Sequence, residues 1–255
     1  MSLSWKSMLA AATLCSLPAI SLAECRAASP QQTIALIELY TSEGCSSCPP
    51  ADRWLSHLRA RPESAVALSL HVDYWDRLGW KDRFANASFT ARQYEQMRRQ
   101  KTEFVYTPQF LVQGRDFRWG TGAEVAAIAA INAKPAQAQI ELTANSLGDK
   151  TTIDVHVTVP DVRLRTNARV AVALVQDGLV SNVKAGENAG ERLEHDHVVR
   201  QWRGGLLLNA TGELRDRLTF VLPQEQSPLS IVAFAEDAMS GDVLQVLALP
   251  MCVTK

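Results

Sequence analysis

Cys45 and Cys48 are separated only by Ser46 and Ser47. Two thiols at that spacing can close a small, reducible ring, and the thiolate of such a pair is the species that attacks disulfides. The same spacing also matches half of a zinc site, so the pair alone leaves redox, structural and metal chemistry open. The flanking sequence says how the pair is held. An apolar run at 34–40 leads into it and predicts a buried strand. After it, Ala51, Trp54, Leu55 and Leu58 fall on one face of a helix. The motif therefore sits where a strand turns into a helix, with Cys45 expected near the N-cap. Unpaired N–H groups and the helix dipole favour a thiolate there. Pro49 and Pro50 suit the first helical turn, where a missing N–H costs nothing.

Sixty residues on, Thr107-Pro108 runs straight into an apolar strand that ends at Gly114. At these two motifs, over residues 33–134, the chain resembles the thioredoxin superfamily. The resemblance implies a cis-proline loop at Thr107 and Pro108 that faces the cysteines and offers backbone groups to a substrate. It also implies Cys45 as the more exposed, attacking thiolate and Cys48 as the resolving thiol.

Length and composition set the context. Lys6, an apolar stretch and Ser21-Leu22-Ala23 form the pattern of a secretory signal peptide over 1–23. No later run reaches the 18 or more apolar residues a membrane span needs, so a soluble periplasmic or secreted protein is expected. With 25 basic and 27 acidic residues after position 23, the charge is nearly balanced, which argues against an electrostatic grip on nucleic acid. Cys25, Cys45, Cys48 and Cys252 remain. If Cys45 pairs with Cys48, an oxidising compartment offers Cys25 and Cys252 as a second, structural disulfide between neighbouring chain ends; two free thiols are the alternative.

Along the chain, a second buried strand is expected at 66–72, ending beside Asp73 and Trp75. Residues 77–103 read as a helical insertion. Trp75, Trp80 and Phe84 would give it an apolar, substrate-binding face, or simply a lid over the sheet. A hairpin turning at Gly114 and an Ala-rich helix at 124–133 close the first domain near residue 135. Seven alternating runs between 138 and 249, separated by turn residues, suggest a β-sandwich. His195-Asp196-His197 lies in one such run. Alternation would put both imidazoles on one face, as a possible copper or zinc pair or as an ordinary solvent-facing pair.

Over residues 33–250 the chain also resembles a family of secreted proteins of Gram-negative bacteria, carried as a domain of unknown function. The residues that carry this likeness are LYTSEGCSSCPPAD at 39–52, GENAG at 186–190, and 193–200. The fold expected from the two resemblances and the strand pattern is an α/β thioredoxin-like domain (24–135) followed by an all-β sandwich-like domain (136–255). The expected function is exported thiol–disulfide exchange with a redox partner protein or a disulfide substrate, with no cofactor. The alternatives are an envelope binding module with a structural Cys45–Cys48 bridge, and a periplasmic handler of copper or zinc. Neither substrate nor oligomeric state is readable.

Overall fold

The strand that leads to the cysteines, β2 (Ala35–Thr41), is buried along its whole length. So is its neighbour β3 (Ala65–His71), which runs parallel to it with Leu36 opposite Val66. A strand buried on both faces needs cover on both, and its alternating side chains show where the cover comes from. The computed structural model describes residues 24–60 and 65–252. The segment expected to be a signal peptide, 1–23, lies outside the described residues.

Ala35, Ile37 and Leu39 of β2 pack with Ala51 and Leu55 of α1 (Pro49–Ser56) and Ile128 of α3 (Glu124–Asn132). Leu36 and Tyr40, on the opposite face, pack with Phe89 of α2 (Ala87–Gln100). Asn86 caps α2 by accepting a bond from the Ser88 N–H. Two short antiparallel strands, β4 (Gln109–Val112) and β5 (Arg115–Phe117), complete this edge.

The remaining strands are β1 (Glu24–Ala28), β6 (Gln139–Leu147), β7 (Lys150–Thr158), β8 (Ala168–Gln176), β9 (Leu179–Asn182), β10 (Arg192–His195), β11 (Val198–Leu207), β12 (Glu213–Val221), β13 (Leu229–Asp237) and β14 (Val243–Pro250). A one-turn helix, α4 (Val162–Arg165), precedes β8. Eight strands form one sheet in the order β14-β13-β8-β11-β3-β2-β4-β5, and a second sheet has the order β1-β6-β7-β12. β9 and β10 make a separate two-stranded ribbon. Val170, Val172 and Leu174 of β8 face the four-stranded sheet, packing with Ile140, Leu142, Ile153 and Val155. Ala171, Ala173 and Val175 face the core that also holds Leu36 and Phe89.

This arrangement corrects the expected fold class. Strand makes up 44% of the described residues and helix 18%, in several sheets, so the protein is a β-rich sandwich and not an α/β thioredoxin-like domain followed by a separate sandwich. The joint is at β11, which pairs in parallel with β3 at Val198 and Ser69 while running antiparallel to β8. At the other end, β1 pairs with β6, Cys25 opposite Ala144. The eight-stranded sheet thus runs straight across residue 135. Alternation within a strand tells which side chains are buried; it carries no information on which distant strand supplies the neighbouring edge. A second correction concerns the run that holds His195-Asp196-His197. His197 adopts φ +58°, which breaks the expected single strand into β10 and β11.

Candidate functional site around Cys45 and Cys48

β2 delivers the chain into a tight turn. The Cys45 N–H bonds the Ser42 carbonyl at 3.1 Å, and the Cys48 N–H bonds the Cys45 carbonyl at 3.2 Å. A Cβ on Gly44 would lie 3.1 Å from the Cβ of Trp75, a tight contact that Trp75 would have to shift to relieve. Cys45 and Cys48 are joined by a disulfide with Cα atoms 5.4 Å apart. Cys48, not Cys45, is the N-cap of α1, with Pro49 and Pro50 in the first turn. Ser47 Oγ lies 3.4 Å from Cys45 Sγ.

Where the resemblance implies an exposed Cys45, the structure buries both cysteines completely. The loop at 183–191, which joins β9 to β10, is bonded to the motif. The Asn188 side-chain amide donates to the Glu43 carbonyl (2.9 Å) and to the Cys45 carbonyl (3.0 Å). The Glu187 carboxylate accepts from the Ser46 N–H at 3.1 Å.

The Thr107–Pro108 peptide is cis. Thr107 is tied to the motif through Trp75, whose indole N–H donates to Thr107 Oγ1 at 2.8 Å while its Cβ packs on Gly44. Trp80 also reaches the motif, donating to Glu43 Oε2 at 2.6 Å. Phe84 does not. It is buried with Leu179 and Val198 and stacks edge-on against His71 and His195. Cys25 and Cys252 are disulfide-bonded 227 residues apart in sequence.

Behind the motif lies a buried polar cluster that periodicity did not reveal. Glu43, Asp52, His71, Asp82 and His195 come from five different segments, and each is nearly or fully buried. Asp82 accepts from the Glu43 N–H at 2.9 Å and contacts His71 Nδ1 at 2.7 Å. His195 Nε2 lies 3.4 Å from Glu43 Oε1, close enough for charge attraction but not a well-formed hydrogen bond. Thr41 Oγ1 donates to Asp52 at 3.2 Å. Burial pushes the Glu43 carboxyl up, but His195, Ser181 and Trp80 outweigh this and hold it below the usual range. Asp82 is likewise held low against its burial, chiefly by His71. His71 is raised, because the attraction of Asp82 exceeds the cost of burying its charge. Burial dominates at Asp52 and raises it. The available sequence signals were a Glu two residues before Cys45 and an Asp one turn after Cys48, both inside the motif.

The two histidines considered as a metal pair part company. His195 points into this cluster, whereas His197 sits by Asp177, whose carboxylate accepts from the His197 N–H at 2.8 Å. Among the described residues, no group of three or more His, Cys, Asp or Glu side chains is arranged to hold a metal ion. Nor is any described helix long and apolar enough to cross a membrane.

No curated protein matches this chain. Two solved structures are similar. Protein AGR_C_4864 from Agrobacterium tumefaciens is 27% identical, with a TM-score of 0.59, over 89% of this chain and 98% of that one. HBP35 of Porphyromonas gingivalis has a TM-score of 0.64 at 14% identity, over 86% of this chain and 75% of that one, a likeness of fold alone. Residues 36–234 match the family described as "Protein of unknown function (DUF1223)", and the chain belongs to that family.

Proposed function

We propose that this protein is an exported thiol–disulfide oxidoreductase that works through Cys45 and Cys48. The observation that carries the reading is the disulfide between two cysteines three positions apart at the start of α1. In the reduced protein, the Cys45 thiolate attacks a substrate disulfide, forms a mixed disulfide and expels one substrate thiolate. The Cys48 thiolate then attacks the Cys45 sulfur, re-forms the ring and releases the second substrate thiolate. Two electrons pass to the substrate, and a redox partner protein restores the thiols; the reverse sequence oxidises a dithiol. Ser47, beside Cys45 Sγ, supports the thiolate by donating to it. Thr107 and Pro108 form the substrate side of the site, with Trp75 and Trp80 flanking the turn. Two disulfides in one chain support an oxidising compartment, periplasmic or extracellular.

The complete burial of both cysteines, in a turn that Asn188 bonds, favours a second reading, a binding module in which Cys45–Cys48 is a structural bridge. One titration separates the two. The protein is equilibrated in glutathione and dithiothreitol buffers, thiols are trapped, and each site is read by mass spectrometry. A reversible Cys45–Cys48 couple between about −120 and −270 mV supports exchange. A pair still oxidised below about −300 mV means a structural bridge.

A further inference from the structure

A disulfide is reduced only if a nucleophile reaches one sulfur along the S–S axis, and neither Cys45 nor Cys48 exposes surface. Ser46 and Ser47 between them are exposed, so the sulfurs lie just beneath the surface and not deep in a core. The bonds that hold the motif's turn from outside come from far along the chain. Asn188 is 143 residues from Cys45 and itself nearly buried, and it holds two carbonyls of the motif with one amide.

The covering loop is built to keep its own shape. The Val183 N–H bonds the Glu191 carbonyl and the Gly190 N–H bonds the Val183 carbonyl, both at 2.9 Å; the Glu191 N–H bonds the Asn188 carbonyl at 3.1 Å. It extends the β9–β10 ribbon, which belongs to neither large sheet. Glycines at 186 and 190 take φ of +76° and +92°, values that other residues adopt at a cost. Its hydrogen bonds to the motif come from two side chains, Asn188 and Glu187, and none is a backbone pairing. Such a loop can lift as a unit, breaking its side-chain latch and keeping its internal bonds.

We propose that the loop at 183–191 is a gate over the Cys45–Cys48 disulfide and that Asn188 is its latch. The gate's purpose rests on the exchange reading above, but its operation is measurable without it. Opening frees the Glu43 and Cys45 carbonyls and uncovers the sulfurs, and closing shields the pair from small thiols. Asn188 touches no reacting atom. It is a positioning residue that sets how often the site is open.

The test is the rate at which tris(2-carboxyethyl)phosphine reduces each disulfide of the whole protein, followed by thiol trapping and mass spectrometry. The phosphine attacks one sulfur and breaks the S–S bond. Water then supplies the oxygen of the phosphine oxide and the protons of the two thiols, so the reaction runs to completion at any disulfide potential. Asn188→Ala removes two hydrogen bonds from the closed state alone. Reduction of Cys45–Cys48 should accelerate about tenfold, the effect of one to two ordinary hydrogen bonds at tenfold per 1.4 kcal/mol. Cys25–Cys252 in the same sample should react at the wild-type rate. Gly186→Ala, strained at positive φ and 3.2 Å from the Trp80 Cβ, should also speed the first reaction and spare the second. Equal Cys45–Cys48 rates in wild type and Asn188→Ala overturn the gate. So does an equal acceleration of both disulfides, which would mean general loosening. A potential below −300 mV would defeat the exchange reading while leaving these rates to decide the gate.

Discussion

Arg92 on α2 forms a two-pronged ion pair with Glu236 on β13, at 2.9 and 3.2 Å, and so ties an element of the first half of the chain to a strand of the second. The same guanidinium holds Glu38 of β2 at 2.7 and 3.2 Å, and Arg99 adds a second contact to Glu236. All three partners of this bridge are nearly or fully buried. Breaking a buried pair strands its partner's charge without solvent, and here two carboxylates would be stranded. Arg92→Ala should cost about 3–5 kcal/mol in urea unfolding. A loss within 1 kcal/mol would show that water or Arg99 replaces the guanidinium.

The polar cluster behind the cysteines predicts a pH window for stability. His71 binds its proton more tightly when folded, so its contribution is full below its ordinary value of 6.5 and is lost as pH rises through the raised folded value. Glu43 and Asp82 are held low, so theirs are full above 4.5 and 3.8 and are lost as acid protonates them in the fold. Asp52, raised by burial, adds stability at the acid end that fades as pH climbs. The His71 limb can be isolated. Between pH 6.5 and 9 the unfolding free energy of wild type should fall more steeply than that of His71→Gln. Parallel curves would mean that His71 does not titrate in that range.

On the exchange reading, Cys48→Ser keeps the attacking thiol and removes the resolving one. It should accumulate a mixed disulfide at Cys45 when offered a disulfide substrate, and Cys45→Ser should form none. Mass spectrometry of trapped adducts reads both. Adducts on Cys48 alone would reverse the assigned roles.

Gly114 turns the chain between β4 and β5 at φ +78°, and a Cβ there would fall 1.8 Å from the Gly241 carbonyl oxygen. That obstacle is backbone, so one turn must move. Gly114→Ala should cost at least about 2 kcal/mol, measured by thermal or urea unfolding. A near-neutral substitution would mean that the β13–β14 turn yields easily.

The same glycine shows how far the sequence could be read. Its turn is legible locally, because an apolar strand ends there and a second run follows. Its contact with Gly241 is not, since nothing local says that the turn after β4 meets the turn after β13. The pattern holds across the molecule. The strand–turn–helix around Cys45 and Cys48 was readable from apolar runs and two prolines, and so were most strands of the second half. The single sheet was not, because edge pairing such as Val198 with Ser69 leaves no periodic trace. At the site, Trp75 and Trp80 stand out as aromatics after the second strand, but Asn188 enters only within GENAG, one of the stretches that carry the family likeness. Its role depends on a chain reversal more than 140 residues downstream.

Removing both Cys25 and Cys252 tests how firmly the ends are tied. The bridge joins positions 227 apart in sequence, so it restricts the unfolded chain strongly in the loop-entropy account. Replacing both by Ser should cost about 2–5 kcal/mol, read as a lower urea midpoint. An unchanged midpoint would mean that the bridge adds no net stability and that the loop-entropy account fails here.

The cover over Cys45 has a consequence in time as well as space. A chain made from its N-terminus presents Cys45 and Cys48 first, and at about 5–20 residues per second Asn188 follows on the order of ten seconds later. During that interval the two thiols stand open to whatever oxidant the new chain meets. Once the β9–β10 ribbon has formed, the same atoms lie under a lid. The pair thus has an uncovered youth and a covered maturity, and on the exchange reading the catalyst that first oxidises it need not be the partner that later uses it.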